Sequence, residues 1–261
     1  MRLFASVAAG AIALALVACQ STGGASSSVT ASSANITAAI ADPARPKDDT
    51  GVGLDQYRKP AEMLAFGEVK PGEKIGELIP GAGYMTRLLS KAVGPTGKVY
   101  VFASAPVARE GQPPPAAPVA AITADKANYA NVSVILTDFT KIPAPEPLDL
   151  VWTSQNYHDM HNPGRNLDIM GANKAVLAAL KPGGLYIVLD HNAGPGVTFD
   201  AQKHRIDPEL VKKEVLAAGF EFVGESKALE NKADPHDKAV FDPSIRHKTD
   251  QFIFKFRKPK K

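Results

Sequence analysis

Short apolar runs rich in β-branched and aromatic residues recur along the chain, and most are separated by stretches with helical periodicity. This alternation predicts a doubly wound α/β fold with a mostly parallel sheet of seven strands. The predicted strands are 74–79, 98–103, 131–136, 148–153, 185–189, 220–225 and 251–256. The predicted helices are 57–66, 84–93, 120–130, 167–180 and 208–218.

A glycine turn joins the first predicted strand to the following helix. The apolar run stops at Pro80, Gly81-Ala82-Gly83 follow, and the helical pattern starts at Tyr84. Glycine allows positive φ angles and the close approach of a ligand to the backbone, and a helix N-terminus offers free N–H groups. The turn therefore predicts a site for a nucleotide-like ligand, with a purely structural tight turn as the alternative.

Polar residues follow three of the other predicted strands. Asp138 follows the third strand, the segment 156–161 follows the fourth, and Asp190-His191 ends the fifth. Ligands of an open α/β sheet bind outside the carboxyl ends of its strands. We therefore expect these polar residues to converge on one crevice with the glycine turn.

The composition fits one α/β domain with a tail. The chain has 261 residues, of which 44% are hydrophobic, and its formal net charge is only +3. Basic residues do not form a stripe interleaved with aromatic residues, so the sequence does not predict nucleic-acid binding. The oligomeric state is not indicated by the sequence.

The first residues predict an exported protein. Met1-Arg2 precede an apolar run of signal-peptide length, so residues 1–18 are predicted to be a signal peptide. The sequence Leu16-Val17-Ala18-Cys19 resembles a bacterial lipobox, which implies lipidation of Cys19, the one cysteine of the chain. Gln20 implies placement at the outer membrane. The alternative is an ordinary signal peptide followed by an incidental cysteine.

The segment after the predicted lipidation site is poor in large apolar residues. Residues 19–49 are mostly Ser, Ala, Thr and Gly, which bury too little surface to offset the entropy lost on ordering. We therefore expect a disordered tether over 19–49 and a folded domain over 50–261. Such a protein would contact the membrane through its lipid anchor only, at the periplasmic face.

Two turns and one carboxylate stand in the order found in a known enzyme family. They are Glu77-Leu78-Ile79-Pro80-Gly81-Ala82-Gly83, then Asp138, then Leu180-Lys181-Pro182-Gly183-Gly184. In this order the chain resembles the class I S-adenosylmethionine-dependent methyltransferases. The resemblance covers about residues 55–259 and implies a Rossmann-like sheet of seven strands.

Further motifs are similar to those of a bacterial group of exported, predicted methyltransferases with this fold. The resemblance implies transfer of a methyl group from S-adenosylmethionine to a small molecule. The motifs are Arg58-Lys59-Pro60, Asn156-Tyr157-His158-Asp159, His204-Arg205-Ile206-Asp207 and Lys248-Thr249-Asp250-Gln251-Phe252.

The family resemblance also implies how the cofactor would be held. The backbone at Gly81 and Gly83 would lie against the methionine and ribose parts of the cofactor. Glu77 would be linked to the amino group of the cofactor through a water molecule. Asp138 would accept a hydrogen bond from the adenine amino group, and Phe139 would stack or pack near the ring. Alternatively, Glu77 is a surface or turn-stabilising carboxylate, and Asp138 only caps a turn.

Two positions depart from the family pattern. Ile79 stands where the first glycine of the motif is expected, and the second strand runs into Ala103-Ser104 without the acid that grips both ribose hydroxyls. A serine hydroxyl is a weaker acceptor than a carboxylate. Because of these departures, the alternative remains that the protein binds a ligand and retains the fold without being an enzyme.

The segment after the fourth strand supplies the candidate catalytic groups. His158 titrates near neutrality and is the candidate base, with Asp159 to orient or assist it. Asn156 and Tyr157 are predicted to position the acceptor. A purely structural, hydrogen-bonded His158 is the alternative.

The same segment also permits a metal site. His158, Asp159 and His161, with His191 from the next strand, offer imidazole and carboxylate ligands suited to zinc or a similar ion. Their spacing is not that of a known zinc motif. The loop containing His204 is expected either to cover the site as a lid or to form a salt-bridged loop.

Overall fold

The structure is a computed structural model that describes residues 33–104, 117–165 and 167–261. Cys19, the predicted signal peptide and the first part of the expected tether lie outside the described residues. Among the helices that are described, we find none whose length and apolar character would suffice to cross a bilayer.

Nine β-strands are described, and seven of them form one sheet. The other two, β6 and β7, pair with each other as a short antiparallel ribbon. The strands are β1 (Lys74–Leu78), β2 (Lys98–Ala103), β3 (Val132–Leu136), β4 (Leu148–Ser154), β5 (Leu180–His191), β6 (Phe199–Asp200), β7 (Arg205–Ile206), β8 (Glu221–Ser226) and β9 (Gln251–Arg257).

Helices flank this sheet, and a first helix, α1, covers residues 33–40. Short 3-10 turns occur at Val52–Leu54 and Pro163–Arg165. The remaining helices are α2 (Asp55–Arg58), α3 (Pro60–Phe66), α4 (Tyr84–Val93), α5 (Ala117–Ala124), α6 (Lys126–Tyr129), α7 (Tyr157–Met160), α8 (Ile169–Ala179) and α9 (Pro208–Ala217).

The strand order confirms the predicted sheet. It is β3-β2-β1-β4-β5-β9-β8, with the first five strands parallel and β9 antiparallel to both neighbours. The order reverses between β1 and β4, which creates the switch point at which such sheets bind ligands. The glycine turn after β1 and the polar segment after β4 therefore flank the same crevice.

Both faces of the sheet are buried, as a doubly wound fold requires. Successive residues of one strand enter opposite core clusters. Trp152 packs with Leu64, Leu88 and Val101 on one face, whereas Val151 belongs to the cluster on the other face. The continuous apolar runs in the sequence follow from this burial on two sides.

Two of the predicted helices are interrupted. The helix predicted over 57–66 is divided into α2 and α3 at Lys59, which has a left-handed φ of 44°. A residue before proline is disfavoured in the helical region, and Pro60 follows Lys59 directly. The helix predicted over 120–130 likewise consists of α5 and α6, the second capped by the Asp125 side chain.

The ordered domain begins earlier than expected at residue 50. Residues 33–40 are helical, and Ala39 is fully buried in the core. Arg45 is 2% exposed and forms an ion pair with Asp55. This part of the expected tether is thus packed on the domain through Ala39, the half-buried Ile36 and Ile40, and a charge pair, although its content of large apolar residues is low.

Candidate functional site

The turn after β1 has left-handed backbone angles at three residues. The φ angles are 53° at Ile79, 54° at Gly81 and 78° at Gly83. A Cβ added to Gly83 would lie 2.2 Å from Cδ1 of Ile122, so a larger residue would clash there. A Cβ added to Gly81 would have no described atom within 4 Å. Gly81 therefore leaves open space in which a ligand can approach the backbone.

Ile79 has a left-handed backbone conformation that a glycine would adopt without strain. This conformation costs a side chain roughly 1–2 kcal/mol, and it is unusual for a β-branched residue. Two hydrogen bonds hold it, because the Ile79 N–H donates to the Phe102 carbonyl at 2.9 Å and Asn156 Nδ2 donates to the Ile79 carbonyl at 2.7 Å. The strained residue thus ties the glycine turn to the segment after β4.

Glu77 lies inside the domain, beneath the glycine turn. It is 3% exposed and accepts a hydrogen bond from Oγ1 of Thr86, in the first turn of α4. Burial raises the pKa of Glu77 to about 8, although the Thr86 hydrogen bond and the charge of Arg58 oppose this. The carboxyl group is therefore a buried link between β1 and α4 rather than a surface group.

Asp138 and Phe139 follow β3 at the edge of the sheet. Oδ1 of Asp138 accepts hydrogen bonds from the backbone N–H and hydroxyl of Thr140, at 3.0 and 2.7 Å. These bonds lower the pKa of Asp138, which stays exposed. Phe139 is 4% exposed and packs in the core. Asp138 caps a turn and remains accessible, whereas the Phe139 ring does not present an open face.

His158 is held by a carboxylate from the neighbouring strand. Its Nδ1 lies 2.7 Å from Oδ1 of Asp190, and its backbone N–H donates to Oδ2 of Asp190, also at 2.7 Å. Burial alone would lower the pKa of His158, but the charge and hydrogen bond of Asp190, together with the charge of Asp159, outweigh burial and raise it. Asp190 is fully buried, and the charge of His158 nevertheless keeps the Asp190 pKa below its usual value.

The other ring nitrogen of His158 faces Asp159 and His204. Nε2 of His158 lies 3.2 Å from Nδ1 of His204 and 3.6 Å from Oδ1 of Asp159. The His204 and Asp159 atoms are 3.8 Å apart. The structure therefore brings the loop before β7 onto the segment after β4.

The set of metal ligands that the sequence permits does not come together for two of its members. Nε2 of His161 lies 3.0 Å from Oε2 of Glu214 in α9. Nδ1 of His191 lies 2.8 Å from the Thr249 hydroxyl, and burial lowers the pKa of His191 to about 3. Both rings are turned to other partners, and His204 takes their place beside His158 and Asp159.

Tyr157 and Asn156 are both engaged within the protein. Tyr157 is fully buried, and its hydroxyl donates to Glu214 and accepts from Asn173. Asn156 donates to the carbonyls of Ile79 and Ser154. Tyr157 is therefore a buried core residue, and Asn156 links the glycine turn to the end of β4.

Three residues of the site were not assigned a role from the sequence. Asp190 was expected in the crevice but not as the partner of His158, and His204 was expected only in a covering loop. Arg58 approaches the ring of Tyr84 to 4.9 Å and donates to Gln155 at 2.5 Å. Arg58 and His204 stood in named motifs and Asp190 ended a predicted strand, but the pairings join residues far apart in sequence.

The comparisons with known proteins bear on the fold of this chain. No family model matches the chain. A curated relative, the ubiquinone/menaquinone biosynthesis C-methyltransferase UbiE of Ectopseudomonas mendocina (strain ymp), is 26% identical over 190 residues. The match covers 59% of this chain and 68% of the relative.

Solved structures match over most of the chain. A SAM-dependent methyltransferase from Aquifex aeolicus has a TM-score of 0.56 and 16% identity, covering 78% of this chain and 98% of its own. The N-methyltransferase NodS from Bradyrhizobium japonicum WM9, in complex with S-adenosyl-l-homocysteine, has a TM-score of 0.55 and 14% identity, covering 88% and 99%. This chain has the class I methyltransferase fold.

Not all of the matching structures are named methyltransferases. The cyclase SpnF has a TM-score of 0.58 and 16% identity, covering 89% of this chain and 95% of its own. A fold does not determine a reaction, so the function must be argued from the site.

Proposed function

We propose that this protein is an S-adenosylmethionine-dependent methyltransferase that acts on a small molecule. The observation that carries the proposal is the strained glycine turn over residues 79–83, which leaves open space at Gly81 beside the switch point of the sheet. The curated relative, itself named a methyltransferase, supports the same activity.

The residues present at the turn fit the cofactor in part. The backbone at Gly81 and Gly83 would hold its methionine and ribose parts, and accessible Asp138 would accept from the adenine amino group. Buried Glu77 fits the acidic position of the motif. Ser104 stands where a ribose-binding acid is expected, so we expect weaker binding than a carboxylate would give. When bound, S-adenosylmethionine supplies a methyl group on a positively charged sulfur.

His158 is the proposed base for an acceptor that must lose a proton. Asp190 holds Nδ1, so the lone pair of Nε2 points toward the crevice side, where Asp159 and His204 lie. The proton would pass to Nε2, and the buried Asp190 carboxylate would stabilise the resulting imidazolium. Asn156 would act indirectly by fixing the position of Ile79 relative to this segment.

Calorimetric titration with S-adenosylmethionine tests the proposal. We expect saturable binding by the wild-type protein and at least about ten-fold weaker binding by Gly81→Val, since the added side chain fills the open space at the turn. Gly72→Val is the matched control, because Gly72 also has a positive φ of 83° but lies before β1, at the opposite edge of the sheet. Absence of heat and of a thermal shift at millimolar ligand would overturn the proposal.

We also propose that the protein belongs to an exported group of methyltransferases and is anchored by a lipid on Cys19. The apolar leader and the sequence Leu16-Val17-Ala18-Cys19 support an anchor at the periplasmic face. Separation of membrane and soluble fractions tests the anchor. We expect Cys19→Ser to move the protein from the membrane fraction to the soluble fraction. Unchanged membrane fractionation of Cys19→Ser would contradict the anchor.

A further inference from the structure

Three side chains from two separate segments direct potential ligand atoms at one point. Nε2 of His158 and Oδ1 of Asp159 come from α7, and Nδ1 of His204 comes from the loop before β7. The three distances between these atoms are 3.2, 3.6 and 3.8 Å. A point equidistant from all three lies about 2.1 Å from each, which is the distance at which Zn²⁺ binds imidazole nitrogen and carboxylate oxygen.

The arrangement around His158 is that of a supported metal ligand. Asp190 accepts from Nδ1 of His158, which leaves the lone pair of Nε2 directed at the other two groups. Asp190 is itself fixed by the backbone N–H groups of His158 and His191, each at 2.7 Å. A carboxylate behind a ligating histidine sets its tautomer and ring orientation and increases its basicity.

His204 is held in place by its own surroundings. Its backbone has a left-handed φ of 57°, and its ring packs edge-on against Phe241 with a centroid distance of 4.9 Å. The side chain of His158 is only 5% exposed, whereas those of Asp159 and His204 are 25% and 31% exposed. The point between them is therefore closed on the protein side and reachable from solvent.

We propose that His158, Asp159 and His204 bind a divalent transition-metal ion such as Zn²⁺. Two imidazole nitrogens and one carboxylate oxygen suit zinc and its neighbours better than magnesium or calcium, which prefer oxygen ligands. Three protein ligands leave a coordination position for water or for an oxygen or nitrogen atom of a small molecule. This site is at the same edge of the sheet as the glycine turn.

Metal binding and proton acceptance exclude each other at Nε2 of His158. With the ion bound, an acceptor oxygen at the open position would lose its proton more readily, because a metal ion lowers the pKa of the group it coordinates. The ion would then replace His158 in that task. This consequence rests on the proposed function, whereas the binding of the ion does not.

Titration with Co²⁺, followed by its visible absorption, tests the site without any methyl-transfer assay. The full chain would carry Cys19→Ser, because a free thiol binds cobalt by itself. It would be purified without a histidine tag and freed of bound metal with a chelator. We expect one ion per chain, with a spectrum typical of four ligands or five, and displacement by Zn²⁺.

The matched variants are His204→Ala and His161→Ala. His204→Ala should weaken Co²⁺ binding by at least about 100-fold, whereas His161→Ala should bind as the wild type does, because His161 is paired with Glu214. Circular dichroism would show that both variants fold. Absence of stoichiometric binding by the wild-type protein, or wild-type affinity in His204→Ala, would overturn the proposal and leave a hydrogen-bonded chain from Asp190 to His204.

Discussion

A single side-chain amide, that of Asn156, connects the two halves of the candidate site. It donates to the carbonyl of Ile79 in the strained turn and to the carbonyl of Ser154 at the end of β4. A β-branched residue remains in a left-handed conformation only where its surroundings hold it there. We infer that Asn156 contributes to holding Ile79 in the conformation that a glycine would adopt freely.

Replacing Asn156 by aspartate tests this connection. Asn156→Asp keeps the size of the side chain but places an oxygen against two carbonyl oxygens, so we expect a loss of about 1–3 kcal/mol in the free energy of unfolding. Asn162→Asp is the control, because Asn162 uses its oxygen to accept from Gly164, and we expect a change within about 0.5 kcal/mol. Urea denaturation would measure both, and equal effects would contradict the connection.

The pKa of His158 should depend on Asp190. The raised pKa means that the pair contributes stability below the ordinary histidine pKa of about 6.5, and that this contribution is lost as pH rises through the raised value. In Asp190→Asn the charge and the hydrogen bond of Asp190 are lost, and burial then outweighs the smaller effect of Asp159, so the His158 pKa should fall. NMR titration of the ring protons would show this. Asp149→Asn, at the other end of β4, should leave the titration unchanged.

Sequence reasoning about single residues succeeded where the chemistry is local. The positive φ angles at Gly81 and Gly83 follow from the residue type and its place between a strand and a helix. The approach of His204 to His158 joins residues 46 positions apart and depends on how the loop before β7 folds back. No periodicity or spacing encodes that contact, so His161, which is nearer in sequence, was chosen instead.

At the scale of elements, the strands were predicted closely and the turns less well. The second strand has its predicted bounds, Lys98–Ala103. The fifth begins at Leu180 instead of 185, because Leu180 pairs with Leu148 and Leu185 pairs with Leu150. The intervening Lys-Pro-Gly-Gly turn is thus a bulge inside the strand. Apolar patterning reports burial, whereas bulges are set by pairing with a neighbour.

The ribbon of β6 and β7 is anchored by a buried ion pair. Arg205 and Asp234 each have fully buried side chains, with Nη1 and Oδ2 at 2.9 Å. Arg205→Met should cost about 3–5 kcal/mol, because it leaves a buried carboxylate without its cation. The exposed pair of Lys181 and Asp149 gives the control, and Lys181→Met should cost less than about 1 kcal/mol. Similar shifts in the two urea midpoints would show that burial does not matter here.

At the scale of the whole molecule, residues 33–49 are part of the domain. Nδ2 of Asn35 donates to the Ala92 carbonyl of α4, and Arg45 and Tyr84 both hydrogen-bond the carboxylate of Asp55. The first turn of α4, which follows Gly83, is therefore supported by residues that the composition assigned to a tether.

Truncation at two positions tests how far the domain extends. Removal of residues 1–49 deletes α1 and leaves Asp55 without Arg45, and we expect it to destabilise the protein. A loss of about 2 kcal/mol would lower Tm by roughly 4–8 °C in a domain of this size. Removal of residues 1–32 keeps α1 and the pair of Arg45 and Asp55, so it should lower Tm less than removal of residues 1–49. Equal melting temperatures for the two fragments, measured by calorimetry, would contradict this boundary.

The antiparallel course of β9 has a practical consequence. Arg257 pairs with Leu185, toward the amino end of β5, whereas Gln251 pairs with His191 at the carboxyl end. The backbone after β9 therefore leaves the sheet on the side away from the crevice. A capture tag joined after Lys261 would therefore lie on the side of the sheet away from the crevice. Protein immobilised through this tag, as in a surface-binding experiment, would leave the crevice accessible to ligands.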